Sequence, residues 1–252
     1  MERNLQVIEK PIPRQEDGSL QVHSIWYTIQ GEGPYAGRPA AFVRLTGCNL
    51  QCPLCDTEYT ATRTRMSALQ VILAAAQAVA DARSWDRFLG PVSIPSQHPV
   101  LVLTGGEPFR QHLQEFLTLC SARGVLVQIE TNGTLGPDYL PDMIKTGHRL
   151  PVIVCSPKAG LVQPRLYPFI AAYKYVLDYR EVSPEDGLPT SVLGNGIAPA
   201  RPHEGFEGVV YVQPLDSQDT EENEAHLAAA VKSCMRYGYT LCMQLHKIVG
   251  LD

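Results

Sequence analysis

A chain of 252 residues, 44% of them hydrophobic, can bury a sizeable core within one domain. Its formal net charge of −5 and its lack of a basic block exclude the Lys/Arg footprint of a nucleic-acid binder, which leaves a small molecule as the default partner. No apolar run approaches the roughly 18 residues of a membrane span, and Met1-Glu2-Arg3-Asn4 leads into no apolar signal core, so the sequence reads as cytoplasmic and not membrane-bound.

Strand-length apolar runs alternate with helical patterns from about residue 40 onward. Residues 40–45 (AAFVRL) predict a strand that runs into a cysteine-rich loop. Residues 67–83 predict a helix opened by the capping box Ser67-x-x-Gln70. Residues 99–104 (PVLVLT) predict a buried strand, then a Gly-Gly turn and a helix over 111–123, with Gly124 at its C-terminal cap. Short β-rich runs follow at 125–130, 152–156, 173–178 and 209–213. Residues 220–237 predict a helix with acidic residues in its first turn, where the helix dipole favours them, and 239–245 a last strand. This alternation argues for an α/β fold on a parallel sheet, open or curved into a partial barrel. Residues 86–98 and 181–208, rich in Pro, Gly and Ser, read as surface loops. The second is long enough to be a mobile or functional insertion within a single domain spanning 1–252.

Seven cysteines are present, three of them within eight residues. Cys120, Cys155, Cys234 and Cys242 lie scattered in apolar segments and read as buried small hydrophobes. Cys48, Cys52 and Cys55 have the spacing C-x3-C-x2-C directly after a strand, where catalytic loops of β/α arrays gather. Three soft thiolates can hold three corners of an iron–sulfur cube and leave one iron open to a non-protein ligand. The alternative is a Cys3His zinc site completed by His23 or His246, as in a non-enzymatic binding module. The other histidines, at 98, 112, 148, 203 and 226, are assigned to surface or loop positions.

The triplet, followed by Gly105-Gly106-Glu107-Pro108 after the next core strand, resembles the radical S-adenosylmethionine superfamily. Within it, an ordered series resembles the 7-carboxy-7-deazaguanine synthase family. The series is Gln30-Gly31-Glu32-Gly33, Arg44, Cys55-Asp56-Thr57, Thr104-Gly105-Gly106-Glu107-Pro108, Glu130-Thr131-Asn132-Gly133, Ser156-Pro157-Lys158, Gln213-Pro214 and Gln244-x-His246-Lys247. The resemblance spans residues 23–252. It implies a partial (β/α) barrel of the radical S-adenosylmethionine type, a curved parallel sheet with outer helices. A glycyl-radical-enzyme activase would share the triplet and Gly-Gly-Glu but would not need the rest of the series.

What the resemblance implies is specific. A 4Fe–4S cluster on Cys48, Cys52 and Cys55 and bound S-adenosyl-L-methionine would start the conversion of 6-carboxy-5,6,7,8-tetrahydropterin to 7-carboxy-7-deazaguanine, with loss of ammonia, in queuosine and 7-deazapurine biosynthesis. Mg2+ would bind at Thr57, whose plainer reading is a turn threonine. Leu54, where relatives often carry an aromatic residue, together with Asp56, Gly106, Glu107, Ser156, Lys158, Gln213 and Asp216, match cofactor-binding positions; Lys158 alone would read as a solvated charge. Ile29, Gln30, Gly31 and Glu32 would wrap the pterin, Thr104 would touch it, and the Arg44 fork would pair with its carboxylate. Arg44 could otherwise be a strand arginine reaching solvent. His246, expected to end the last strand, and the carboxylate of Asp252 would close on the substrate. Flavodoxin or ferredoxin as electron donor and a homodimeric assembly are further implications.

Overall fold

The computed structural model describes residues 3–84 and 99–251. The loop expected at 86–98, with His98, and the carboxylate of Asp252 lie outside the described residues. Among the described residues a nine-stranded sheet forms the frame: β1 (Leu20–Ile29), β2 (Pro39–Leu45), β3 (Thr64–Met66), β4 (Val100–Gly105), β5 (Val127–Thr131), β6 (Val152–Cys155), β7 (Ile170–Leu177), β8 (Val209–Pro214) and β9 (Thr240–Leu241). Its order is β3-β1-β2-β4-β5-β6-β7-β8-β9. From β2 to β9 every pairing is parallel, whereas β1 runs antiparallel to both β2 and β3. The sheet is therefore mixed at its first edge, an addition to the parallel array expected from sequence.

Residues such as Val100, Leu101, Val102 and Leu103 of β4 are all buried, as a strand covered on both faces requires. Helix α1 (Ala68–Ser84) packs on β1 and β2, and α4 (Thr220–Tyr237) on β7, β8 and β9. The capping box forms as expected: Gln70 N donates to Ser67 Oγ at 3.2 Å, and Ser67 N to Gln70 Oε1 at 2.8 Å. Helix α2 (Gln114–Ala122) starts later than expected, because the chain leaves a one-turn 3-10 helix at Pro108–Arg110 with Gln111 extended (φ −110°, ψ 154°), and Gly124 follows α2 in the left-handed conformation with φ 67°. A short α3 (Leu140–Lys145) precedes β6.

Three expectations are corrected. Strand β9 has only two residues, and the chain then turns into α5 (Leu245–Ile248), so His246 sits in a helical turn and does not end a strand. Residues 181–208 are not simply a surface loop: Leu188 and Val192 are buried, Ser183 N donates to Leu188 O at 2.9 Å, and Arg201 forks onto both oxygens of Asp186 at 2.7 and 3.1 Å. His226 is fully buried in α4, where its Nδ1 accepts from Tyr179 N at 3.1 Å. Cys120, Cys155, Cys234 and Cys242 are buried, as expected. No helix among the described residues is long and apolar enough to cross a membrane.

Candidate active site

The C-terminal ends of β2, β4, β5, β6, β7 and β8 open onto one cleft of about 570 Å³, also walled by Trp26, Thr28 and Ile29 of β1. A parallel sheet aims its successive strand ends at the same side, so residues distant in sequence converge there. All three clustered cysteines line it, as do Leu54, Asp56, Thr57, Gln30, Glu32, Arg44, Thr104, Gly106, Ser156, Lys158, Gln213, Asp216 and His246. Gly31 and Glu107 stand behind this wall.

The cysteine loop leaves β2 and returns at Tyr59. Leu50 N donates to Cys48 Sγ at 3.4 Å, and Asn132 Nδ2 approaches the same sulfur at 3.9 Å. Burial pushes the Cys48 thiol up to about 12 and raises those of Cys52 and Cys55 as well. Three soft donors facing one cleft, Cys48 buried and Cys52 and Cys55 half-buried, suit a cluster that takes thiolates and releases their protons on binding. Of the two histidines considered for a zinc site, His23 is engaged at both ring nitrogens, by Glu58 at 2.6 Å and Ser24 at 3.0 Å. His246 is pressed against Gly31, where an added Cβ would meet its Nδ1 at 2.0 Å. Gly31 thus lets α5 close on the Gln-Gly-Glu-Gly turn, and Leu245 N donates to Gly31 O at 3.2 Å.

Behind the cysteines, the Gly-Gly-Glu turn lies backbone against backbone on the cysteine loop. A Cβ on Gly106 would stand 2.0 Å from Gly47 O, and one on Gly105 2.2 Å from Leu45 O. Only glycine permits this approach. Glu107 is fully buried and accepts from Phe109 N at 3.0 Å, Thr131 Oγ1 at 2.7 Å and Asn132 N at 2.7 Å. Its carboxyl therefore ties this turn to the end of β5 instead of lining the cleft, and burial outweighs the three donors to raise it to about 7. Arg110, which sequence reasoning missed, is 2% exposed and donates to Thr46 O at 2.9 Å and Lys10 O at 2.8 Å.

The cleft floor is a charge network. Glu32 pairs with Lys174 and accepts from Gln244 Nε2 at 2.8 Å. Burial would raise the Glu32 carboxyl, but the Lys174 ammonium holds it below the usual range; burial likewise opposes Lys174, and Glu32 and Glu130 overcome it. Glu130 accepts from Gln30 Nε2 at 3.0 Å and Thr104 Oγ1 at 3.1 Å. Lys158 donates to Ser156 Oγ at 2.5 Å, and burial with the nearby Lys174 draws its pKa down. Lys174 and Glu130 were given no role from sequence. A lone lysine inside the apolar run of β7 was the available signal, since a buried charge needs a partner.

Arg44 stacks over Trp26 with 4.9 Å between guanidinium carbon and ring centre, donates from Nη1 to Glu58 O at 3.4 Å, and leaves Nε without a partner among the described residues. Thr28 Oγ1 and Gln213 Oε1, also in this wall, are buried and have no partner among the described residues. Such orphans are rare in a folded interior and mark polar groups held ready for a ligand. Asp216 accepts from Lys247 Nζ at 2.6 Å and from Asn223 Nδ2 at 3.0 Å, and the Lys247 hydrogen bond holds its carboxyl down at about 2. Thr57 Oγ1 faces Asp56 Oδ1 at 3.3 Å, an oxygen pair at the mouth of the cysteine loop. Leu54 packs against the 181–208 segment, with Leu54 N donating to Leu193 O at 3.2 Å.

No protein-family model matches the chain. It is 41% identical over 248 residues to the 7-carboxy-7-deazaguanine synthase of Rhodospirillum rubrum, across 95% of this chain and 96% of that protein. It is 31% identical over 249 residues to the synthase of the same description from Rickettsia prowazekii, across 94% and 91%. The crystal structure of QueE from Escherichia coli covers 89% of this chain and 93% of its own with a TM-score of 0.61 at 20% identity, a likeness of fold: the curved partial barrel. On the near full-length identity to these synthases, the chain belongs to the 7-carboxy-7-deazaguanine synthase family.

Proposed function

We propose that this cleft converts 6-carboxy-5,6,7,8-tetrahydropterin to 7-carboxy-7-deazaguanine with loss of ammonia, in the cytoplasm and within queuosine and 7-deazapurine biosynthesis. The observation that carries the reading is the convergence of three thiols with the orphaned Thr28 Oγ1, Arg44 Nε and Gln213 Oε1 on one cleft. A 4Fe–4S cluster with S-adenosyl-L-methionine, when bound, supplies a carbon radical able to take hydrogen from the substrate. The donor set fits this pair: Cys48, Cys52 and Cys55 would hold the cluster, and Ser156, Lys158 and Gln213 offer a hydroxyl, an ammonium and an amide to the cofactor's polar groups.

The protein's own part is orientation. The Arg44 guanidinium, braced on Trp26, is free at Nε to pair with the substrate carboxylate. Glu32, kept ionised by Lys174, accepts from the donor edge of the aminopyrimidinone, while Gln30, Thr104 and Glu130 form a ready hydrogen-bonded rank beside it. His246 closes the far wall. Thr57 with Asp56 provides oxygen donors for Mg2+, which takes few protein ligands and leaves the remainder to water and substrate. Flavodoxin or ferredoxin as reductant and a homodimer complete the proposal.

The test is anaerobic reconstitution, analysis of iron, sulfide and zinc, and assay with the carboxytetrahydropterin with and without Mg2+. Formation of the deazapurine supports the reading. Zinc without sulfide would return the site to a structural metal, and deoxyadenosine formation without pterin turnover would point to a different radical substrate.

A further inference from the structure

The cysteine loop hardly holds itself. Within residues 48–57, among the described residues, a single backbone-to-backbone hydrogen bond forms, Cys55 N to Cys52 O at 3.2 Å, beside the long contact of Leu50 N with Cys48 Sγ. Leu54 N donates outward to Leu193 O, and the carbonyls of Cys48, Cys52, Pro53 and Thr57 are met by a segment from the other side of the sequence. Ile8 pairs with Cys48 in parallel, and Glu9 N donates to Cys48 O at 2.7 Å. Asn4 donates from Nδ2 to Cys52 O at 3.1 Å and from its backbone to Pro53 O at 2.8 Å. Gln6 donates from Nε2 to Thr57 O at 2.8 Å and accepts at Oε1 from Tyr59 N at 2.9 Å, while Gln51 Nε2 donates to Gln6 O at 2.7 Å. Residues 4–9 therefore touch the loop along its whole length.

We propose that residues 4–10 are a strap that fixes the spacing of the three thiols, with Asn4 and Gln6 as its positioning residues. The proposal takes its purpose from the cluster reading above. Burial in this segment is inverted. Asn4 is 8% exposed, whereas Leu5 and Val7 are 80% and 64% exposed. A segment that turns its amides inward and its apolar side chains to water gains little from the hydrophobic effect, so its contribution is directional. Its far end is anchored by Arg110, which donates to Lys10 O and pairs with Glu9 at 3.2 Å, while Ile12 N donates back to Arg110 O at 2.7 Å. Arg110 also holds Thr46 O, one residue before the turn that leads to Cys48. The strap grips from outside: Cys48, Cys52, Cys55 and Thr57 line the cleft, and Asn4 and Gln6 do not.

The test uses the full chain with Asn4→Leu and Gln6→Met together, which keep shape and neutrality and remove the side-chain hydrogen bonds. In the metal-free protein, iodoacetamide labelling of each cysteine is followed by mass spectrometry. Cys52 and Cys55 are expected to label about fivefold faster or more, the effect of losing one net hydrogen bond from a local opening equilibrium. Cys155 and Cys242, buried elsewhere, keep their rates, and Leu5→Ala with Val7→Ala labels as the unaltered chain does. After anaerobic reconstitution, the double variant is expected to lose iron to a chelator faster by a similar factor. Unchanged labelling, or equal acceleration at Cys155 and Cys242, overturns the strap. Should the unaltered chain take up no iron and sulfide, the cluster reading fails, and the labelling contrast still decides the strap.

Discussion

Lys174 Nζ donates to Glu32 at the floor of the cleft, and the two side chains are only 11% and 12% exposed. Each charge is tolerable there because of the other. Lys174→Met leaves a buried carboxylate with Gln244 as its remaining donor, and should cost about 3–5 kcal/mol by chemical denaturation. The double variant Lys174→Met/Glu32→Gln should recover most of that loss but not the affinity for the pterin, measured by direct binding to the metal-free chain. Because the folded Glu32 carboxyl sits below its usual 4.5, its stabilisation is present above that pH and is lost as the pH falls through the depressed value.

Glu107 has the opposite sign. Its folded carboxyl titrates at about 7 against a usual 4.5, so between those values the folded state holds the proton that the unfolded state has released. Stability contributed by this group is present below about pH 4.5 and declines as the pH rises towards 7, by at most about 3 kcal/mol for a shift of this size. Denaturation midpoints at pH 5 and pH 7 should differ less in Glu107→Gln than in the unaltered protein; an identical slope would place the titration elsewhere.

Replacing Cys48, Cys52 or Cys55 by alanine should abolish deoxyadenosine formation and lower the iron bound per chain after reconstitution. Cys120→Ala, in a helix far from the loop, should leave both intact. Retained turnover in any of the first three would remove that residue from the ligand set.

Thr57→Ala should weaken the response of turnover to Mg2+ while leaving iron and sulfide content unchanged. The backbone carbonyl of residue 57, which Gln6 holds, survives the substitution, so the loop keeps its course. Equal loss of cluster and of Mg2+ response would make Thr57 a structural turn residue.

Arg44→Lys keeps the charge but loses the planar fork and the stack on Trp26. The expected result is a KM for the carboxylated pterin raised on the order of tenfold to a hundredfold with a smaller change in kcat, since the carboxylate pairing serves ground and transition state alike. A pterin lacking the carboxylate should be insensitive to the substitution.

The parallel core could be read from sequence because β4 and β6 are short apolar runs buried on both faces, and the cysteine spacing falls at a strand end. Strand β1 was not anticipated: its Trp26 and Thr28 face the cleft, so polar and apolar residues mix along it and the alternation blurs. The run at 239–245 looks like a strand by composition, yet after Leu241 the chain turns so that Leu245 N can reach Gly31 O, a contact across more than two hundred residues with no local signature. Glu107 illustrates the same limit. Its motif identified the turn, but whether the carboxyl points into the cleft or behind it depends on Thr131 and Asn132, on another strand. Lys174 and Arg110 earn their places through partners equally distant in the chain.

The glycine contact between the two turns has a mechanical consequence. With Gly106 seated on the carbonyl of Gly47, the cysteine loop and the Gly-Gly-Glu turn cannot loosen independently. Damage that pries open either one, by heat or by oxidation, should release both in a single cooperative event, so a failing preparation would hold intact and wholly inactive molecules side by side, with few of intermediate competence.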